Sequence, residues 1–302
     1  MDEEKEYTVY QVCGLLGGIM YRKVIDETLK CKFCGSRNVV KYGTYQHVQR
    51  WWCKDCKRKF ADNEALPKMQ TPVVQIASAL SMYYEGASLN GIRRHLQQMY
   101  HNYPSDSTVY GWLTRFTKVA VSAAHSYTVP TGSVWVADET VLRIGGSNLW
   151  LWDCLDARSR FLLATHISTS RTIRDARTLM SRAAQRASGT PHTIITDKLA
   201  VYLEGIETVF GASARHVQSK GFRVQPNTNM IESFHGTLKA RTKVMRGLKG
   251  VKSAKLLTDG WLVHYNFFRP HEGLGGRTPA SVAGVRLPYK NWADVVAKGG
   301  IR

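Results

Sequence analysis

Two sets of side chains in this 302-residue chain have types and spacings that can do chemistry. The first is a pair of Cys-x-x-Cys steps, Cys31/Cys34 and Cys53/Cys56, with residues 35–52 between them. Each step offers two thiolates from one tight turn, and two such turns supply the tetrahedral sulfur set that Zn2+ prefers. One structural zinc is the expectation. A redox dithiol is the competing use, but it needs only one such step. Cys13 and Cys154 fall outside the pattern and read as buried small apolar residues.

The second set is acidic. Asp138 lies inside an apolar run, where a carboxylate is costly without a partner. Asp197 follows the β-branched, strand-like stretch 192–196, and Glu232 follows the polar breaker 225–228. Three carboxylates from three separate elements can converge on two divalent cations about 4 Å apart, as phosphoryl transfer requires. Carboxylates that keep water on the ion suit Mg2+ or Mn2+ rather than zinc. Each acid also has a plainer use: a helix cap for Asp197, a turn for Asp138, an ion pair with Lys239 or Arg241 for Glu232. Glu139, Asp153 and Asp156 compete with Asp138 for its place. Alternation along a strand puts residues 138 and 139 on opposite faces, which favours Asp138 alone. Asp153 and Asp156 read as exposed acids at the ends of a hairpin strand.

The elements that must position these groups follow from periodicity. Residues 39–42 and 48–52 fit two strands joined near Gly43, which makes the cysteine region a ribbon. Residues 71–125 read as three helices. Pro72 opens the first over 73–84; Ser88 starts a second with Leu89, Ile92, Leu96 and Met99 inward. Ser105-Asp106-Ser107 caps a third with Val109, Trp112, Leu113 and Phe116 inward. Two helices across a short turn, the second showing Ser107, Thr108, Tyr110, Arg115 and Lys118, suit a helix-turn-helix that contacts DNA; a purely structural three-helix unit is the alternative.

From residue 133 the pattern changes to strands at 134–144, 149–156 and 161–167. A helix over 172–187 follows, with Ile173, Ala176, Leu179, Met180 and Ala183 inward. A strand at 192–196, a helix at 202–210, a short strand at 214–217 and a helix at 229–245 complete an α/β order with a mixed sheet. On that last helix Asn229, Glu232, His235 (or Gly236) and Lys239 share a face, and Lys243, Arg246 and Lys249 continue as a basic stripe. His235, Lys243 and Arg246 are therefore candidate DNA contacts, with a solvated charged face as the alternative. The domain boundaries implied are 1–66 for the ribbon segment, 67–128 for the helix-turn-helix, 129–285 for the α/β core and 286–302 for a tail.

Charge narrows the partner. Lys+Arg 42 against Asp+Glu 23 gives a formal charge of +19 and a pI near 9.8. A field of that sign attracts polyanions, and nucleic acid is favoured over an acidic membrane or a solubility charge. No segment reaches the roughly 18 apolar residues of a membrane span. The acidic start Asp2-Glu3-Glu4 does not suit a secretory signal, so a cytoplasmic, nucleoid-associated protein with reduced cysteines and no membrane contact is expected.

Five segments together resemble a known family. They are Trp135-Val136-Ala137-Asp138-Glu139-Thr140, Ile195-Thr196-Asp197-Lys198, Asn229-x-x-Glu232-x-x-His235-x-x-Leu238-Lys239, Tyr265-Asn266-x-x-Arg269-Pro270-His271, and Thr278-Pro279-Ala280. Over residues 70–285 the chain is similar to the DDE transposases of bacterial and archaeal insertion sequences. These have an RNase H-like core related to retroviral integrases. The spacing of Asp197 and Glu232, with Lys239 seven positions later, looks most like insertion-sequence family six. The resemblance implies that Asp138, Asp197 and Glu232 hold two Mg2+ or Mn2+ ions and that Lys239 accompanies them. It also implies that the helix-turn-helix recognises terminal inverted repeats, that strand cleavage and transfer into target DNA is the reaction, and that a homodimer holds two ends. The ribbon looks like an added DNA-binding module. A DNA-binding regulator or domesticated descendant with an inert core, and an RNase H-like nuclease, are the rival functions.

Overall fold

Short, local connections build the first unit, Met1–Lys68. In the computed structural model, which describes residues 29–45, 48–144, 146–219, 229–244 and 251–299, each Cys-x-x-Cys step closes on itself. Gly35 N–H donates to Cys31 O, and Lys57 N–H donates to Cys53 O. The residue after the second cysteine is left-handed in both steps, Gly35 at φ 73° and Lys57 at φ 55°. Strands β1 (Val39–Tyr45), β2 (Val48–Cys53) and β3 (Lys59–Ala61) form an antiparallel meander beside them. Its core is small: Cys31, Cys53 and Phe60 are buried, with Leu29, Phe33, Val39, Trp51 and Cys56 packed around them. Residues 1–28, with Cys13 and the apolar run 12–20, lie outside the described residues.

The second unit, Met69–Arg302, holds both the helices and the large sheet. Helices α1 (Val73–Tyr84), α2 (Leu89–Tyr100) and α3 (Asp106–His125) begin where Pro72, Ser88 and Ser105 stand. Ser88 Oγ accepts from Gly91 N–H and Ser105 Oγ from Thr108 N–H, each satisfying an otherwise orphaned helix donor. Arg93 locks the α2–α3 turn by donating to Pro104 O and pairing with Asp106 at 2.8 Å. Ile92, Leu96, Val109, Trp112, Leu113 and Phe116 are buried. Met99, expected inward from its spacing, is 63% exposed, because the stripe of α2 is already complete one turn earlier.

The large sheet consists of β4 (Val134–Ile144), β5 (Ser147–Asp156), β6 (Leu162–Ser168), β7 (Thr193–Thr196) and β8 (Arg215–Gln218) in the order β6-β5-β4-β7-β8. The first three run antiparallel as consecutive hairpins, while β7 pairs parallel with both β4 and β8. Helices α4 (Ile173–Arg186) and α5 (Val201–Phe210) make the crossovers that parallel pairing demands. This is a mixed α/β sheet flanked by helices, of RNase H-like order. Gly205 lets α5 lie against α4, since a Cβ there would meet Ala176 Cβ at 2.7 Å. Ile173, also expected inward, is 39% exposed at the start of α4, where Thr172 and Asp175 form the capping box.

Helix α6 (Asn229–Val244) packs on β4 and β5, and α7 (Val251–Val263) on α3 and β6. A π-helical turn over His264–Phe268 follows. It holds Asn266, which bonds both polar groups of the Leu162 backbone: N–H to Oδ1 at 2.9 Å and Nδ2 to O at 3.0 Å. The motif Tyr265-Asn266-x-x-Arg269-Pro270-His271 thus has a structural use, a side chain standing in for a strand at the start of β6. A short helix, α8 (Pro279–Ala283), comes next. Residues 286–302, expected to be a tail, contain helix α9 (Trp292–Gly299), packed on α1 and α3. Trp292 is buried and stacks on Tyr84 at 5.0 Å. With Val295 and Val296, also buried, its indole gives that segment an anchor that composition does not reveal. Among the described residues no helix is long and apolar enough to cross a membrane.

Candidate metal centres and DNA-facing surface

The four cysteine sulfurs lie within 4.8 Å of one another, with Cys31–Cys56 and Cys34–Cys53 each at 3.6 Å. A tetrahedron with Zn–S near ~2.3 Å has edges of roughly 3.8 Å, so the donor set is compatible with zinc in type, number and spacing. The thiols differ. Backbone N–H groups, that of Cys56 first, lower Cys53 to about 7, whereas burial and then the neighbouring thiols push Cys56 up to about 12. A bound Zn2+ would relieve that conflict, with Cys31, Cys34, Cys53 and Cys56 holding it as thiolates.

The acidic centre sits where β7 stops beside β4. Val136 pairs with Ile195, so Asp138 stands level with Asp197, just beyond the last residue of β7. Asp197 turns the chain there, its Oδ1 accepting from Leu199 N–H at 2.9 Å. Oxygens of Asp138, Glu139 and Asp197 all fall within 4.8 Å of one another. Strand alternation was expected to exclude Glu139, and here the structure corrects that expectation. Alternation fixes Cβ atoms, but β7 ends at Thr196, so on that side of β4 no strand separates the two faces, and the longer glutamate reaches the cluster. Arg171 at 2.6 Å and the Tyr202 hydroxyl at 2.9 Å hold its carboxylate. Burial, and then the charge of Asp197, raise Glu139 to about 7; burial also raises Asp197, with Asp138 adding to the effect. Crowded, desolvated carboxylates of this kind suit a hard divalent cation.

Glu232 is half-buried in the first turn of α6 and is not among the three clustered carboxylates. It stands one helical turn before His235, which reaches Asp138: Nδ1 is 3.5 Å from Asp138 Oδ2, and Nε2 is 3.0 Å from Asp153 Oδ2. The expectation that His235 contacts DNA is corrected. It is 5% exposed, and both ring nitrogens face carboxylates, so it has no surface to offer DNA. Burial alone lowers His235, but the hydrogen bonds and charges of Asp138 and Asp153 outweigh it and raise it to about 9. Lys239 is exposed on α6; the side chain of Lys243, and Arg246 and Lys249, lie outside the described residues.

The expectation that Asp153 and Asp156 are exposed strand-end acids is also corrected, since both are fully buried. Asp156 is structural, accepting from Gly132 N–H, Ser159 N–H and the Ser159 hydroxyl. Asp153 lies directly across from Asp138 in the β4–β5 pairing. A two-residue connection at Gly145-Gly146 already sets that register, so counting outward from the glycines was the signal available in the sequence. Arg171 and Tyr202 carry no comparable signal, because only folding brings α5 and the start of α4 under Glu139.

On α3, Ser107, Thr108, Arg115 and Lys118 are exposed and Tyr110 is half-buried. With Gly111 they form a polar face opposite the buried stripe.

Residues 132–271 match a DDE domain of the insertion-sequence 240 transposase type. Among solved structures, the magnesium complex of the HTLV-2 integrase catalytic core is 17% identical, covering 52% of this chain and 99% of its own, at a TM-score of 0.40. The BIV integrase catalytic core is 18% identical over 50% of this chain and 94% of its own, TM-score 0.39. The simian T-cell lymphotropic virus intasome with PP2A regulatory subunit B56 gamma is 14% identical over 69% and 75%, TM-score 0.41. No curated protein matches the chain. The DDE match spans Asp138, Asp197 and Glu232 together with the 265–271 motif, so residues 132–271 are similar to the DDE domains of transposases.

Proposed function

We propose that this protein binds the terminal inverted repeats of an insertion sequence and catalyses DNA strand cleavage and transfer into target DNA. Asp138, Asp197 and Glu232 hold two Mg2+ or Mn2+ ions, and one Zn2+ organises the ribbon. The observation that carries this reading is the meeting of Asp138, inside β4, with Asp197, just beyond the end of the parallel strand β7, within a segment that matches a DDE domain. Bound divalent ions supply charge neutralisation at the attacked phosphodiester and activation of the attacking water or 3′-hydroxyl. The chain's own groups do the rest. Asp138 and Asp197 fix one wall of the site, and α6 brings Glu232 and Lys239 to the other. Ser107, Thr108, Tyr110, Arg115 and Lys118 present α3 to the duplex. A homodimer holds two ends, and a net charge of +19 gives cytoplasmic, nucleoid-bound DNA a strong attraction.

Glu139 is a second reading for the third carboxylate, favoured by its place in the cluster. Arg171 at 2.6 Å and the Tyr202 hydroxyl at 2.9 Å already hold that carboxylate, which weighs against it as the third ligand. Labelled transposon ends incubated with Mg2+ and Asp138→Ala, Asp197→Ala, Glu232→Gln or Glu139→Gln test the assignment. Loss of cleavage and joining in the first three, with activity kept in the fourth, is expected. An unaltered protein that binds the ends and cuts nothing is a regulator; one that cuts but never joins 3′ ends is a nuclease.

A further inference from the structure

Two aspartates face each other directly across β4 and β5, Asp138 and Asp153. Like charges opposite one another on the same face of a sheet repel, and burial sharpens the cost. Asp153 is fully buried, and its Oδ1 has no hydrogen-bond partner among the described residues. A core optimised for stability would not keep such a group. The imidazole of His235 is the one basic group that the described contacts place between the two carboxylates, at 3.0 Å from Asp153 and 3.5 Å from Asp138. His235 is held in turn by a ring contact with Phe234, which packs on Trp261 and Tyr265.

We infer that Asp153 and His235 form a buried positioning pair that aims the Asp138 carboxylate at its metal and fixes the turn of α6 that carries Glu232. The inference rests on the metal-site reading of Asp138 above. Asp153 orients the ring through Nε2; the ring, so oriented, directs Nδ1 at one oxygen of Asp138 and leaves the other oxygen for the cation. Groups that hydrogen-bond a metal ligand from behind set its orientation, and losing them weakens metal binding about 10–100-fold. The same ring ties α6 to β4 and β5 one turn after Glu232, so one contact sets both walls of the site. Asp153 itself touches no substrate and is a positioning residue.

The test compares the full-length unaltered chain with Asp153→Asn and His235→Gln. Calorimetric titration with Mn2+ and the thermal midpoint in metal-free buffer are read beside cleavage. Asp153→Asn is expected to raise the half-saturating Mn2+ concentration about 10-fold or more. Its metal-free midpoint should hold or fall, because Asn keeps an acceptor for His235 Nε2 while the buried ion pair is lost, and saturating Mn2+ should restore most of the cleavage rate. His235→Gln should weaken binding at least as much. Unchanged Mn2+ affinity in folded Asp153→Asn overturns the inference, as does a lower midpoint without any change in affinity, which is the signature of a purely structural pair. If Asp138→Asn binds Mn2+ as well as the unaltered chain, the metal-site reading fails and takes this inference with it. If Asp138→Asn abolishes binding while Asp153→Asn leaves it intact, only the positioning role is lost.

Discussion

The thiol cluster and the carboxylate cluster gather ligands in opposite ways. Each half of the thiol site is one turn of chain, with its own hydrogen bond and left-handed residue, and a three-stranded meander suffices to bring the halves together. The carboxylate cluster draws Asp138 and Glu139 from the middle of β4 and Asp197 from just beyond β7, and it depends on Arg171, Tyr202 and His235 to hold charges that repel one another. The first site substitutes for a hydrophobic core that is too small. The second is built at the expense of one that is large. On the function proposed above, metal would be a folding partner in one region and a working part in the other.

The largest expected effect tests the first half of that contrast. Structural zinc in small domains contributes about 10–16 kcal/mol of apparent binding energy, more than such a core supplies otherwise. Strong chelation, or Cys34→Ser, should unfold residues 29–66 while the second unit keeps its helical circular dichroism and melting transition. Limited proteolysis reads the difference, and a ribbon that stays protected without metal would erase the contrast.

Next in size is Asp197→Asn. Cleavage should fall by about 10²–10³-fold or more, the scale on which groups organising transition-state charge act. The metal-free melting temperature should hold or rise, because Asp197 is desolvated and repelled by Asp138. A variant that loses stability along with activity would mean that the acids are part of the scaffold.

Acidity then separates the sites further. Glu139 and His235 both bind a proton more tightly in the folded chain than in the unfolded one. Their stabilising contributions are complete below the unfolded values, near ~4.5 and ~6.5, and are lost as pH rises through about 7 and about 9 respectively. Metal-free unit 2 should therefore lose stability progressively across that window. The loss per group is about 1.4 kcal/mol for every tenfold by which folding tightens its hold on the proton. Divalent cation should oppose it. Denaturant melts at pH 5, 7 and 9 check the slope, and a flat profile would contradict it.

The smallest effect concerns the long-range ties on which the second site relies. Asn266→Ala leaves the buried N–H and C=O of Leu162 unpaired, at about 1–3 kcal/mol for each group. It should loosen β6 without touching the ribbon. Hydrogen exchange at Leu162 would report the change.

By itself, the amino-acid order already determined the repeating features: the thiol steps, the helix starts at Pro72, Ser88 and Ser105, and the strand-and-helix succession from 134 to 218. These depend on spacing within a few turns of chain, where side-chain type and backbone geometry act locally. Even the pairing of Asp138 with Asp153 was implicit in Gly145-Gly146. Tertiary structure decided that Glu139 joins Asp138 and Asp197, that Asp153 is buried, that His235 turns inward and that Trp292 anchors the last helix. Each depends on where a strand stops or which face a distant helix lays down, and electrostatic cost at such places is set by neighbours in space that no local pattern encodes.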